Sequence, residues 1–149
     1  MEELSNQEEI KLYKNLFRGR EDVFAMRWQS KDGTRKGYTP VCKNEWKSGY
    51  CLKLNRGKCR DCENKEYAPL DDFRLAEHLS GKKAYGLYPL LQNGTSYFLA
   101  TDFDGKNWQK DIKKFVKICK KFNLHPNIER SNSGNGCHAW FFFKEKYPA

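Results

Sequence analysis

Two acidic residues one position apart, Asp102 and Asp104, follow a run of apolar residues and are the first candidates for chemistry. If that run is a strand, residues i and i+2 point to the same side of the sheet, so both carboxylates converge at its end. Adjacent carboxylates repel each other unless a cation lies between them, and Mg²⁺ or Mn²⁺ commonly uses one or two carboxylates together with substrate phosphates. The pair therefore predicts a divalent-metal site of the kind that phosphoryl transfer requires. The competing interpretation is a turn and helix cap that leads into Asn107.

A segment rich in glycine and serine precedes the last apolar run of the chain. Small residues let backbone N–H groups approach a phosphate closely, and serine hydroxyls add further donors. An arginine before the segment offers a planar cation suited to phosphate oxygens, and a histidine follows it. The alternative is a tight hairpin turn with a histidine in a purely structural role. The candidate phosphate-binding residues are Arg130, Ser131, Ser133, Gly134, Gly136 and His138.

Four cysteines follow the pattern C-x8-C-x7-C-x2-C, at Cys42, Cys51, Cys59 and Cys62. Four thiolates make a closed tetrahedral site for Zn²⁺. Residues 31–66 contain few apolar side chains, and metal binding would supply folding free energy that such a segment lacks. The spacing does not distinguish zinc from an iron–sulfur cluster, and unrelated buried cysteines or two disulfides are the alternatives without a metal.

Hydrophobic periodicity predicts the elements that must position these residues. An Asn-Gly pair at positions 93 and 94 lies between two apolar runs, which is a strong signal for a β-hairpin. Apolar residues from Trp108 to Phe122 recur at helical spacing and predict one buried helix face, with lysines on the other faces. The predicted helices are 3–18, 71–79 and 107–122, and the predicted strands are 85–91, 96–102, 126–130 and 137–143.

The composition limits the class of protein. The 149 residues suffice for one domain, or for one domain with a small satellite. Lys and Arg number 28 against 19 Asp and Glu, and the net charge of +9 favours a polyanionic partner such as nucleic acid or nucleotides. No apolar run approaches the roughly 20 residues of a membrane span. The charged start is unlike a secretory signal, so we expect a cytoplasmic protein with reduced cysteines.

Taken in order, the motifs closely resemble those of the archaeo-eukaryotic primase superfamily, in particular the primase domain of TOTE conflict systems, which are mobile-element and phage-associated loci. The resemblance covers nearly the whole chain, including the cysteine segment. The segments that carry it are FRGREDVFA at 17–25, LYPLL at 87–91, ATDFDG at 100–105 and ERSNSGNG at 129–136, together with His138.

The resemblance implies a mixed α/β (α+β) fold, in which an RRM-like catalytic sheet joins an N-terminal α/β unit and carries an inserted zinc-binding segment with four cysteine ligands. The corresponding segments are 1–30 for the N-terminal element, 31–68 for the zinc insert and 69–149 for half of the catalytic core. Asp102 and Asp104 match the carboxylates that hold the catalytic Mg²⁺ or Mn²⁺, and His138 with Ser133 matches the motif that contacts the nucleotide triphosphate. The implied reaction is DNA-templated nucleotidyl transfer, with a DNA template and primer and nucleoside triphosphates as partners.

One feature departs from the family pattern. The family has a third catalytic carboxylate on a strand after the histidine motif, and this sequence ends before it; neither Glu129 nor Glu145 lies in the expected motif. We therefore expect a fold truncated at its C-terminus, a split subunit completed by another polypeptide, or an inactive copy. The main alternative function is a non-catalytic, zinc-containing module that binds nucleic acid or nucleotides. A weaker one is a metal-dependent nuclease that uses Asp102, Asp104 and Glu129.

Overall fold

The computed structural model describes residues 4–149, which form a mixed α/β fold with two small antiparallel sheets and three α-helices. This confirms the predicted class at the level of mixed helices and strands. None of the helices in residues 4–149 is long and apolar enough to cross a membrane. The elements are, in order, α1 (Asn6–Leu16), β1 (Phe24–Gln29), β2 (Lys36–Pro40), α2 (Asp72–Leu79), β3 (Tyr85–Leu87), β4 (Thr95–Asp104), α3 (Trp108–Lys121), β5 (Asn127–Arg130) and β6 (Gly136–Pro148).

The first sheet has the order β2-β1-β3, with β1 antiparallel to both neighbours. Its core is built around Phe24, which is fully buried and meets Tyr85 edge to face with ring centroids 5.5 Å apart. Ala68 completes the buried cluster. Because Ala68 follows the cysteine segment in the chain, this packing ties the end of that segment to the sheet.

The second sheet has the order β4-β6-β5, so β6 is its central strand. Alternate residues of β6, Cys137 and Ala139, are fully buried against Ile112 of α3. Phe103 of β4 and Phe115 of α3 pack against the same cluster. Since successive strand residues point to opposite faces, the intervening residues of β4 and β6 lie on the face that α3 does not cover.

The other face of this sheet is covered in part by Phe17, which caps the C-terminus of α1. Its ring meets those of Phe98, Trp140 and Phe142 edge to face, with centroids 5.7, 5.2 and 5.2 Å apart. Such aromatic pairs contribute about 0.5–1.5 kcal/mol each beyond the area they bury. This cluster fixes α1 against the second sheet.

The predicted helices correspond to α1, α2 and α3, although residue 3 of the first prediction lies outside the described residues. The start of α1 is stabilised by Ser5 and Glu8, which form a capping box of the S-x-x-E type. In α3 the predicted apolar face is buried at Ile112 and Cys119. Phe122 is instead 72% exposed, because the helix ends at Lys121.

The predicted hairpin is wrong. Gly94 forms the expected turn with a φ of 75°, and its N–H donates to the Leu91 carbonyl over 3.0 Å. The flanking strands, however, enter different sheets, since β3 pairs with β1 and β4 pairs with β6. The strand predicted over 85–91 ends at Leu87, because Pro89 lacks an N–H and the Tyr88 carbonyl accepts from Arg20 N–H over 2.9 Å.

Candidate active site

The acidic pair and the histidine motif meet across β4 and β6. Asp102 lies directly opposite His138 in the antiparallel register, and Asp104 lies opposite Gly136. Residues opposite each other in such a pair share a face, so all three side chains lie on the face away from α3. His138 Nε2 is 3.7 Å from Asp102 Oδ1. The fold thus brings together two motifs separated by the whole of α3.

Asp104 lies against the end of the glycine-rich turn. A Cβ atom added at Gly136 would overlap Asp104 Oδ1 and would lie 2.6 Å from the Phe103 carbonyl oxygen. Ser131 Oγ would be 3.4 Å from the same point. Position 136 therefore requires glycine, and the carboxylate of Asp104, the turn and its serine share one small volume.

The glycine-rich turn is closed by its own hydrogen bonds. Ser131 N–H donates to the Gly136 carbonyl over 2.9 Å, and Gly134 N–H donates to the Ser131 carbonyl over 2.8 Å. Asn135 N–H donates to Ser133 Oγ over 3.3 Å. Within the described residues, the N–H groups of Asn132 and Ser133 donate to no protein acceptor. These two donors can therefore face an anion.

Arg130 is folded back over this turn rather than extended from it. Its Nε and one Nη donate to the Gly134 carbonyl over 3.3 and 3.1 Å. Gly134 has a φ of 74°, in the left-handed region that glycine adopts most easily. In this position the guanidinium stabilises the turn and adds a positive charge beside it.

Glu129 also lies in this row of side chains; the sequence assigned it a role only in the nuclease interpretation, as a third metal-binding acid. It lies opposite His138 on β5, with its Oε2 3.4 Å from His138 Nδ1 and accepting a hydrogen bond from Trp140 Nε1 over 2.8 Å. The predicted strands 126–130 and 137–143, joined by a short turn, already imply this antiparallel register. That register is the sequence signal that could have identified Glu129.

The strand order fixes where Asp102, Asp104 and Glu129 lie relative to one another. Because β6 lies between β4 and β5, His138 separates Glu129 from Asp102. The three acids of the nuclease interpretation, Asp102, Asp104 and Glu129, do not form one cluster. Accordingly, no group of three or more metal-ligating side chains is arranged as a metal cage anywhere in residues 4–149.

The half-buried Tyr13 and the buried Cys137 have raised pKa values. Burial raises the pKa of Tyr13 on α1, and the negative charge of Glu129 adds to the effect. Burial likewise raises the pKa of the Cys137 thiol, with a further contribution from Asp102. Both groups are therefore neutral at neutral pH. Tyr13 packs against Phe17 and His78, and Cys137 belongs to the core beneath the site.

An open cleft of about 580 Å³ lies between the first sheet and the glycine-rich turn. Its walls include Arg27 and Trp28 of β1, and Lys82 and Lys83 from the turn after α2. Asn132 of the glycine-rich turn lies on the opposite side. Cations and an aromatic ring thus line the approach to the turn.

The four cysteines of the polar segment line one small cavity of about 20 Å³. Cys59 begins a short 3₁₀ turn, Cys59–Asp61, and the Cys62 N–H donates to the Cys59 carbonyl over 3.3 Å. Glu66 N–H donates to Cys42 Sγ over 3.4 Å. All six cysteines of the chain are free thiols.

Lys53 provides a cation next to these thiols. Burial alone would lower its pKa, but the hydrogen bond to Glu45, 2.6 Å away, and the negative charge of Glu45, with smaller contributions from the nearby Cys59 and Cys51, raise it. The lysine is therefore protonated. Four thiols around one cavity with an adjacent cation are a donor set that suits Zn²⁺, although their present spacing does not form a metal cage within the described chain.

Comparison with known families gives one match. The family model described as the TOTE conflict system, Archaeo-Eukaryotic Primase domain, matches residues 8–149. No curated protein matches the chain.

Proposed function

The chain belongs to the archaeo-eukaryotic primase domain family of TOTE conflict systems, and from this premise we propose that it transfers nucleotides to a DNA strand under the direction of a template. Family membership supports a primase-like nucleotidyltransferase with nucleic acid and nucleotides as substrates. The observation that carries the finer proposal is the β4–β6 register, in which Asp102 lies opposite His138 and Asp104 opposite Gly136. It joins a carboxylate pair to a phosphate-binding motif on one face.

Asp102 and Asp104 are the proposed ligands of the catalytic Mg²⁺ or Mn²⁺. In residues 4–149, neither carboxylate has a lysine or arginine nitrogen within 4.0 Å to balance its charge. Two such carboxylates suit hard divalent cations, which take further oxygen ligands from substrate phosphates. When bound, these ions would supply charge stabilisation for the phosphoryl group and the pyrophosphate that leaves.

The remaining residues bind and orient the nucleotide. The free N–H groups of Asn132 and Ser133 and the hydroxyls of Ser131 and Ser133 supply donors for a triphosphate. His138 faces the same region from β6, and Arg130 adds positive charge at the turn. In the proposed reaction a 3′-hydroxyl attacks the α-phosphate, and the task of these groups is to hold the reacting atoms in line.

We assign the DNA to the cleft lined by Arg27, Trp28, Lys82 and Lys83. Single-stranded nucleic acid binds where cations follow the backbone and aromatic rings stack on bases. The cleft leads to the glycine-rich turn through Asn132. A template strand lying there would bring its base close to the incoming nucleotide.

The finer architecture is part of the proposal. The RRM-like catalytic sheet corresponds to β4-β6-β5 with α3, and the N-terminal α/β unit to α1 with the first sheet. Cys42, Cys51, Cys59 and Cys62 hold a structural Zn²⁺ in the inserted segment, which the shared cavity and the free thiols support. The segment boundaries at 30/31 and 68/69 stay predictions.

Primer extension tests the function. With a primed DNA template, nucleoside triphosphates and Mn²⁺, the chain should extend the primer, and Asp102→Asn or Asp104→Asn should lower the rate at least about 100-fold, because the loss of a charged ligand removes transition-state stabilisation. Asp111→Asn on α3 makes the same charge change on an exposed position away from the site and should leave the rate unchanged.

Three results would contradict the proposal. Salt-sensitive DNA binding without any affinity for triphosphates would favour the non-catalytic binding module. Cleavage of the primer in place of extension would favour a nuclease. Equal activity of the Asp102, Asp104 and Asp111 variants would show that the acidic pair is not part of the machinery.

A further inference from the structure

Glu129 contacts His138, a candidate nucleotide-binding residue whose ring lies between Glu129 and Asp102. Its Oε2 lies 3.4 Å from His138 Nδ1, while His138 Nε2 lies 3.7 Å from Asp102 Oδ1 on the opposite side of the ring. A carboxylate only accepts hydrogen bonds, so a hydrogen bond between the two requires the proton of the ring to be on Nδ1. The ring is thereby turned so that Nε2 faces Asp102 and the proposed triphosphate site.

Glu129 is itself held in place. Trp140 Nε1 donates to the same Oε2 over 2.8 Å. The Trp140 ring stacks on Phe142 with an interplanar angle of 7° and meets Phe17 edge to face. These ring contacts restrict the indole, and its hydrogen bond favours the position of the Glu129 carboxylate beside His138.

The alternative role for Glu129, as a third metal ligand, is inconsistent with the strand order. β6 lies between β5 and β4, and His138 occupies the place between Glu129 and Asp102. Both neighbours of the Glu129 carboxylate that lie within hydrogen-bond distance are ring nitrogens, the indole N–H of Trp140 and Nδ1 of His138. These contacts suit a group that orients a ring.

We propose that Glu129 is a positioning residue that, held by Trp140, orients His138 toward the triphosphate of the incoming nucleotide. The proposal rests on the function proposed above, because it needs His138 at the nucleotide. It gives Glu129, which lies outside the Asp102–Asp104 pair, a functional role. It also connects α1 to the site, since Phe17 supports the tryptophan that holds Glu129.

A double-mutant cycle on the full chain tests this coupling. The affinities for ATP and for dATP, each with Mn²⁺, are measured for the wild type, Glu129→Ala, His138→Ala and the double variant. Each single substitution should weaken binding about tenfold or more, in the range found when the partner of a functional histidine is removed. The double variant should bind no more weakly than His138→Ala alone, because Glu129 acts only through that ring.

The variants include a conservative replacement and a matched control. Glu129→Gln keeps an acceptor for Trp140 and His138 and should retain most of the affinity. Glu145→Gln removes an exposed carboxylate from the same sheet, with no described contact to His138, and should bind like the wild type. Losses that multiply in the double variant, or equal losses for Glu129→Gln and Glu129→Ala, would overturn the proposal.

A second measurement does not depend on nucleotide binding. Nitrogen-15 NMR of the imidazole ring reports which nitrogen carries the proton. The wild type and Glu145→Gln should show a protonated Nδ1 on His138, and Glu129→Ala should lose that signal. If the wild type binds neither triphosphate, the proposed function fails while this experiment still decides the positioning: an Nδ1 signal unchanged in Glu129→Ala would overturn it.

Discussion

At the scale of single residues, Gly136 lies in a space beside Asp104 that has no room for a larger side chain. Its backbone lies against the Asp104 carboxylate and the Phe103 carbonyl, and the carbonyl cannot move aside as a side chain can. Gly136→Ala should therefore destabilise the chain by about 1–3 kcal/mol, as overpacking does. It should also weaken Mn²⁺-dependent nucleotide binding, because Asp104 must shift. Urea unfolding and nucleotide titration measure the two effects.

Gly86 provides the matched control for this substitution. It is also a strand glycine, but the atoms nearest to an added Cβ are side-chain atoms of Tyr38 and Ala25, at 3.4 Å or more. Gly86→Ala should therefore change neither stability nor binding strongly. If Gly136→Ala proved as well tolerated as Gly86→Ala, the close approach of Asp104 to the turn would be disproved.

At the scale of elements, Phe17 links α1 to the second sheet through three aromatic rings. Phe17→Ala removes these contacts and should lower the free energy of unfolding by about 2–4 kcal/mol, slightly less than for a fully buried phenylalanine. Phe73→Ala on α2 is the control, since Phe73 is 72% exposed, and it should cost less than about 0.5 kcal/mol. Equal shifts in the urea midpoint would show that α1 is not held by Phe17.

The elements also show where sequence reasoning succeeds and where it fails. The periodicity of α3 and the apolar runs of β4 and β6 are local signals, and all three elements form close to where they were predicted. The prediction of a hairpin was wrong because the Asn93-Gly94 turn specifies only a local bend. The partner of β3 is β1, which lies far away in the sequence. β2 is a largely polar edge strand and carried no apolar signal.

The difference between local and long-range signals also explains which site residues could be predicted from the sequence. The acidic pair and the glycine-rich turn carry local patterns, so their residues could be selected before the register that joins them was known. Glu129 begins the ERSNSGNG segment, but the local pattern does not show which residue it contacts, and its pairing with His138 supplies that partner. The cysteines were identified from spacing, and the fold adds that all four line one cavity.

At the scale of the whole molecule, the proposed zinc site leads us to expect that the cysteine segment needs metal for its fold and that the second sheet does not. The segment's four thiols surround one cavity, whereas β4-β6-β5 has its own apolar core with α3. Purified protein should contain about one Zn²⁺ per chain. Cys59→Ser should lose it, because three thiolates bind Zn²⁺ less tightly than four. Hydrogen exchange should then rise across residues 42–66 and stay unchanged in β4 and β6.

Cys119→Ala is the matched control, because this buried cysteine lies in α3, away from the cavity. It should keep the full zinc content and leave exchange in residues 42–66 unchanged, while exchange rises in α3, where a buried side chain has been shortened. Iron in place of zinc would assign the cysteines to a cluster. If hydrogen exchange in Cys59→Ser rose equally in both sheets, the cysteine segment would fold together with the second sheet. Metal loss would then disable the proposed site indirectly.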